Sequence, residues 1–139
     1  MTSALPPRFA ISEPEIARVV ARFYDHVRRH PGLGPVFAVH VSDWPAHEDR
    51  VTRFWCNIIL HAGGYDGNPV AVHRDAGNVR PGMFETWLAL FDMVLHDELT
   101  PAQAAAWSAL AARIGAPMRA AVTDRARDTA GAPLLRGRF

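Results

Sequence analysis

The sequence contains no lysine, since all fifteen basic residues are arginine. This absence excludes Schiff-base chemistry and the phosphate-binding lysine of a P-loop. A single cysteine, Cys56, excludes an internal disulfide, so nothing indicates an oxidising compartment. No apolar run reaches membrane-spanning length, and the N-terminal residues lack the apolar segment of a signal peptide. Together these absences predict a cytoplasmic protein.

The composition is that of an ordinary soluble domain. The chain has 139 residues, of which 49% are hydrophobic, and a formal net charge of +1. That charge gives no electrostatic reason to expect nucleic acid or a membrane as the main partner. The stretch that starts at His47, HEDRV, resembles the first half of a zinc-protease motif, but Val51 stands where the second histidine must be. A catalytic zinc site of that kind is therefore excluded.

Hydrophobic periodicity predicts an all-α protein with four main helices. Ser12 and Glu15 form a capping box before the first helix, which ends before Pro31, and Ser42 or Asp43 caps the second, which runs to about residue 61. The third is expected over 83–99 and the fourth over 101–122, with a short piece at 70–74 and a tight connection, with at most one 3₁₀ turn, near residues 31–37. We expect an irregular arm at 1–12, one domain at 13–123 and a frayed tail at 124–139.

Polar-tipped rings on apolar helix faces are the unusual feature of this pattern. His47 lies in the middle of an apolar stripe that runs from Trp44 to Ile58, so it should face the interior. Either one backbone hydrogen bond satisfies this imidazole, or the imidazole points at a bound molecule. Tyr24 and Trp87 occupy comparable positions on the first and third helices, and His73 lies on the short segment after a glycine break. Such a set is typical of an apolar pocket with a few convergent donors, which would suit a flat cofactor.

Four motifs in order resemble the truncated haemoglobins, specifically their third group. They are FYDHVRRHPGLGPVF, WPAHEDRVTRFW, GGYDGNPVAVH and MFETWLALF, within residues 16–95. The resemblance implies a two-over-two helical sandwich around a b-type haem. It also implies that His73 is the proximal ligand of the haem iron, the metal site of the protein. One departure is visible, because Ala76 and a glycine follow His73 where the family usually carries leucines.

The resemblance assigns further roles around the haem. Tyr24, His47 and Trp87 correspond to distal residues that stabilise a bound ligand, with His47 either a third donor or a gate. Arg50 and Tyr65 are expected near the haem propionates, although for both an exposed side chain without function is an equal alternative. The remaining haem-contacting residues expected are Phe37, Val51, Phe54, Trp55 and Phe84, of which Phe54 and Trp55 could equally be plain core.

The sequence is compatible with three functions. The first is binding of diatomic ligands such as O₂, NO or CO, in O₂ or NO handling; NO dioxygenation would need a separate reductase. The second is a peroxidase-like redox enzyme, which usually wants a carboxylate behind the proximal imidazole, and the nearest in sequence, Asp75, should point away. The third is a haem-free helical interaction module. We expect a monomer or weak oligomer, because no apolar heptad or exposed strand edge appears.

Overall fold

The computed structural model describes residues 5–65 and 67–131, with side chains given through residue 126. Within those residues the chain forms α-helices and no strand. The six helices are α1 (Glu13–Arg29), α2 (Leu33–His40), α3 (Trp44–Leu60), α4 (Pro69–Asp75), α5 (Pro81–Glu98) and α6 (Pro101–Gly131). The four long helices α1, α3, α5 and α6 lie where the sequence predicts them.

Local capping signals set the starts of these helices. Ser12 Oγ accepts from the amide of Glu15 at 3.3 Å, and Glu15 Oε1 accepts from the amide of Ser12 at 2.9 Å, which confirms the predicted capping box of α1. Thr100 and Gln103 make the same reciprocal pair before α6. Asp43, rather than Ser42, caps α3 through the amide of Ala46.

The segment after α1 differs from the prediction. In place of a tight connection with one 3₁₀ turn, it contains α2, a full α-helix of eight residues. The imidazole of His30 satisfies the free end of this helix, because its Nδ1 accepts from the amides of Gly32 and Leu33, each at 3.0 Å. Gly34 lets α2 approach α1, since a Cβ at this position would lie 3.0 Å from the Arg28 carbonyl oxygen. Neither contact belongs to a standard capping pattern, so helix-start signals in the sequence do not predict this helix.

The end of α6 also differs from the prediction. The helix continues past residue 122 to Gly131, so part of the segment expected to be frayed is helical. Residues 132–139 lie outside the described part of the chain. At the other end, residues 5–12 form no helix, but the amide of Arg8 donates to the Ile59 carbonyl oxygen at 2.9 Å.

Packing separates the interior into two clusters. α1 packs against α2, α3 and α5, and α6 packs against α4 and α5. The main cluster contains the buried rings of Phe23, Trp55, Phe91 and Trp107. A second cluster of Phe84, Met118 and Val122 lies under α4. α1 therefore connects α2 and α3, and α4 packs on the second cluster through Val70.

Candidate functional site

Three helices bring the rings of three residues together around the imidazole of His47. Its imidazole lies edge-on to Tyr24 of α1, with 4.8 Å between centroids, and 6.2 Å from Phe37 of α2. Trp44, one helical turn before His47 in α3, lies 6.0 Å from both Tyr24 and His47. We call these four residues the distal cluster. The side chain of His47 thus faces the interior, as predicted, and two of its neighbouring rings come from other helices.

The polar atoms of this cluster have no partner within the described residues. His47 Nε2 is fully buried and makes no hydrogen bond, and no group accepts from the Tyr24 hydroxyl. A buried imidazole nitrogen without a partner costs free energy unless a bound molecule satisfies it. The same condition holds for Trp107 Nε1, but that atom lies among core rings. The backbone-satisfied alternative for His47 does not apply, which favours a ligand at this place.

Burial fixes the protonation states of both polar groups. Burial, with a smaller contribution from the Glu48 carboxylate, raises the pKa of Tyr24 well above its usual value. The phenol therefore stays a hydrogen-bond donor at neutral pH. Burial first, and then the nearby Arg50 and His73, lower the pKa of His47 to about 4. His47 is therefore neutral at pH 7, with one nitrogen a donor and the other an acceptor.

Trp87 lies one ring away from this cluster. Its half-buried indole stacks on Phe91 at 5.2 Å and meets Phe23 edge-on at 5.5 Å. Phe23 in turn lies 5.0 Å from Tyr24, so Trp87 joins the distal cluster through that ring. Within the described chain no group accepts a hydrogen bond from its indole N–H.

His73 lies on α4, outside the distal cluster. Asn68 caps this seven-residue helix through the amide of Ala71, and Pro69 occupies its first turn. His73 Nδ1 lies 2.6 Å from the Pro69 carbonyl oxygen, which only accepts, so Nδ1 carries the proton. The lone pair is then on Nε2, which makes no hydrogen bond in the described structure. A histidine in this tautomer, with its ring held by a carbonyl, is prepared to bind a metal through Nε2.

The other residues predicted to contact the haem do not lie together in one place. Val51 and Phe54 are half-buried on α3, and Phe54 lies 5.1 Å from Tyr65. Phe84 is buried 6.1 Å from His73. Trp55 points into the main cluster, where it stacks on Phe91 at 5.7 Å, so its contacts are those of a core residue. Arg50 is exposed, and no carboxylate of the described chain pairs with it.

Sequence reasoning assigned no role to two features of the site. Trp44 precedes His47 by three residues on the same apolar stripe, so the sequence predicts that it faces inward. Its contact with Tyr24 depends on the packing of α3 against α1, which the sequence pattern does not contain. The Pro69 carbonyl lies four residues before His73, which is the spacing of one helical turn. That carbonyl, rather than Asp75, holds the imidazole, since Asp75 Oδ1 pairs with Arg74 Nε at 3.0 Å.

No group of three or more metal-ligating side chains occurs among the described residues, so a metal here needs ligands from a cofactor. No family model matches the chain. The chain is 36% identical over 90 residues to the group 3 truncated hemoglobin ctb of Campylobacter jejuni, covering 62% of this chain and 71% of that protein. The chain belongs to the group III truncated haemoglobins.

A solved structure agrees with this assignment. The group III truncated hemoglobin of Campylobacter jejuni superposes with a TM-score of 0.77 at 28% identity, over 81% of this chain and 92% of that one. The predicted family and the predicted two-over-two globin fold are thereby confirmed. Family membership implies a haem cofactor, and the free Nε2 of His73 and the unpartnered Nε2 of His47 fit one. No helix in the described ranges 5–65 and 67–131 is long and apolar enough to cross a membrane.

Proposed function

We propose that this truncated haemoglobin binds a b-type haem through His73 and holds a diatomic ligand, O₂ or NO, beside Tyr24, His47 and Trp87. The observation that carries the proposal is the pairing of two free imidazole nitrogens. The Pro69 carbonyl oxygen accepts a hydrogen bond from His73 Nδ1–H, which leaves the His73 Nε2 lone pair free, and His47 keeps a buried Nε2 without a partner.

Haem, if held by His73, would supply an iron atom that binds a diatomic molecule. The side chains of the distal cluster would then decide which molecule is retained. An O–H or N–H donor in a dry pocket would stabilise a ligand that carries partial negative charge. The Tyr24 hydroxyl is such a donor, because its raised pKa keeps it protonated. The neutral imidazole of His47 offers a second polar group, and its ring centroid lies 4.8 Å from that of Tyr24.

The walls of the proposed pocket are apolar. Phe37 on α2 and Val51 on α3 would contact one haem face, and Phe84, beside His73, would contact the other. Apolar walls exclude water, which strengthens each hydrogen bond made inside. Arg50 is free to pair with a propionate at the solvent edge, and Tyr65, held against Phe54, would lie near the same edge.

The same geometry disfavours the peroxidase alternative. A carboxylate behind the proximal imidazole raises its basicity and favours cleavage of an O–O bond. Here the group behind His73 is the neutral Pro69 carbonyl, and the nearby Asp75 carboxylate is engaged by Arg74. Ligand retention is therefore the better match, with NO dioxygenation as a function that would require a reductase.

The test is the visible absorption spectrum of the protein supplied with haem, recorded ferric, reduced and under CO. We expect a Soret band that shifts at each step and that is lost in His73→Gly. Added imidazole should restore the band in that variant, because the free base replaces the missing ring. His96→Gly, which removes an exposed histidine bonded to the Asp92 carbonyl, is the matched control and should leave the spectrum unchanged. A folded, helical protein with no Soret band would overturn the proposal.

A further inference from the structure

Trp44 is the residue of the distal cluster that stands at a helix start. It is the first residue of α3 and is half-buried, with Tyr24 and His47 each 6.0 Å from its ring on the inner side. On another side the guanidinium carbon of Arg28 lies 5.1 Å from the ring centroid. A guanidinium at that distance from an indole makes a cation–π contact. The indole is thus held between two distal residues and one charged group of α1.

Two carboxylates fix the position of Arg28. Its Nη1 lies 3.4 Å from Glu48 Oε2 on α3, and its Nη2 lies 3.9 Å from Asp25 Oδ1 on its own helix. Glu48 directly follows His47 in the chain and is the less exposed partner, with 20% of its side chain accessible. Arg28 therefore ties the last turn of α1 to the first turns of α3 across the Trp44 ring. We call Trp44, Arg28 and Glu48 the Trp44 latch.

The place of Trp44 in its helix allows movement. The first residues of a helix lack intrahelical bonds for their amides, so a terminal turn opens at less cost than the interior. The preceding residues 41–43 form no helix, and Asp43 holds this end through one side-chain bond from the Ala46 amide and one backbone bond from the His47 amide. His47, by contrast, has its Nε2 fully enclosed. Of the three rings that lie against His47, only that of Trp44 belongs to the first residue of a helix.

We propose that the Trp44 latch controls how fast a diatomic ligand enters the distal cluster, with Arg28 holding Trp44 closed as a positioning residue. This inference rests on the proposed function. The latch is open when the guanidinium leaves the ring and the first turn of α3 swings away. The rate of ligand entry then follows the fraction of molecules in which the latch is open.

The experiment measures CO rebinding after laser photolysis of the full-length protein with haem bound. We expect Arg28→Gln to raise the CO association rate constant by about threefold to tenfold, the range for loss of one partly exposed cation–π contact. Arg29→Gln is the matched control, because Arg29 also pairs with Asp25, at 3.0 Å, but has no ring contact. It should leave the rate constant unchanged. We expect a larger CO association rate constant in Trp44→Ala than in Arg28→Gln. In Trp44→Phe, which keeps an aromatic ring, the rate constant should lie close to that of the native protein.

Salt provides a readout that a purely structural role would not move. Raising the salt from about 0.01 M to about 1 M shortens the Debye length from about 30 Å to about 3 Å, which weakens the partly exposed ion pair of Arg28 with Glu48. CO is uncharged, so salt does not steer it. We therefore expect salt to accelerate CO association in the native protein and to have no effect in Arg28→Gln.

The outcomes separate the two proposals. A normal Soret band with equal CO association rates in Arg28→Gln, Arg29→Gln and the native protein would overturn the latch and leave the haem site standing. Absence of a Soret band in the native protein would overturn both. A faster rate in both arginine variants would assign the effect to net charge and would also contradict the latch.

Discussion

The ring of Tyr24 stands edge-on to the imidazole of His47, with 4.8 Å between centroids and 83° between the ring planes. The two residues come from α1 and α3, whose packing brings them together. Tyr24 keeps its proton because burial raises its pKa, and His47 is neutral because burial lowers its pKa to about 4. The pair thus presents an uncharged donor and an uncharged imidazole to the same space, which is the basis of the first prediction.

Tyr24→Phe should accelerate O₂ dissociation from the haem-loaded protein by about tenfold to hundredfold, because a hydrogen bond to a charged group is worth about 1.5–3 kcal/mol. Only the hydroxyl is removed, so the ring contacts with Phe37 and His47 remain. Stopped-flow displacement of O₂ by CO measures the rate. Tyr65→Phe removes the hydroxyl of the other tyrosine and should leave it unchanged. Equal dissociation rates in Tyr24→Phe and the native protein would remove Tyr24 from the site.

Arg50→Gln should speed the loss of haem about two- to fivefold, because an exposed ion pair contributes about 0.2–1 kcal/mol. Arg50 is exposed, no acidic group in the described structure pairs with it, and it follows His47 by three residues in α3. Transfer of haem to an excess of a haem-scavenging protein gives the rate.

Arg53→Gln is the control for this measurement. Arg53 lies on the same helix but pairs with Asp49, its Nη1 lying 2.7 Å from Asp49 Oδ2. Haem loss at the native rate in Arg50→Gln, or at an equally increased rate in both variants, would contradict a propionate partner for Arg50.

Local signals in the sequence predicted helix starts well, and contacts between helices less well. The Ser12–Glu15 and Thr100–Gln103 pairs lie within one turn of chain, so their spacing alone identifies them. α2 was missed because its amides are capped from outside, by the His30 ring. Capping rules consider the side chain at the N-cap position of a helix, so they do not predict a cap supplied by a residue that precedes it.

The candidate site shows the same division. The inward faces of Tyr24 and His47 followed from helical periodicity, and the role proposed for His73 rests on family resemblance. The Arg28 contacts with Trp44 and Glu48 join residues 16 to 20 positions apart on different helices. Periodicity orders the residues of one helix around its axis, but only the packing of α1 on α3 decides which of their side chains meet.

Gly34→Ala should lower the free energy of unfolding by about 1–3 kcal/mol, the usual cost of forcing an extra methyl group into a packed contact. The new Cβ would lie 3.0 Å from the Arg28 carbonyl oxygen and 3.1 Å from that of Val27, and backbone atoms do not swing aside. α2 would shift, and Phe37 with it, so the distal cluster should also loosen. Urea unfolding followed by circular dichroism gives the difference.

Gly82→Ala serves as the comparison for that change. Gly82 lies in the first turn of α5, and a Cβ there meets nothing within 4 Å. Alanine should be neutral or stabilise the protein by up to about 1 kcal/mol, since it restricts the unfolded chain. If both variants lose the same stability, close packing of α2 on α1 is not the reason.

The capping box of α1 should make stability depend on pH. Hydrogen bonds from the Ser12 amide and hydroxyl lower the pKa of Glu15 below its ordinary value of 4.5. A lowered carboxyl pKa means that the native state binds protons less readily than the unfolded state. The stabilisation is therefore fully present above about pH 4.5 and is lost as the pH falls through the folded-state pKa.

Glu15→Gln isolates this effect because its amide oxygen still accepts from Ser12 but does not titrate. We expect the melting temperature of the native protein to exceed that of Glu15→Gln at pH 7, and the two to converge on acidification to about pH 3. Glu13→Gln removes a charge from the same helical turn without touching the capping box, so its pH profile separates the general helix-dipole effect from the hydrogen bonds. Curves for Glu15→Gln that run parallel to those of the native protein throughout would show that the capping carboxylate carries no pH-dependent stability.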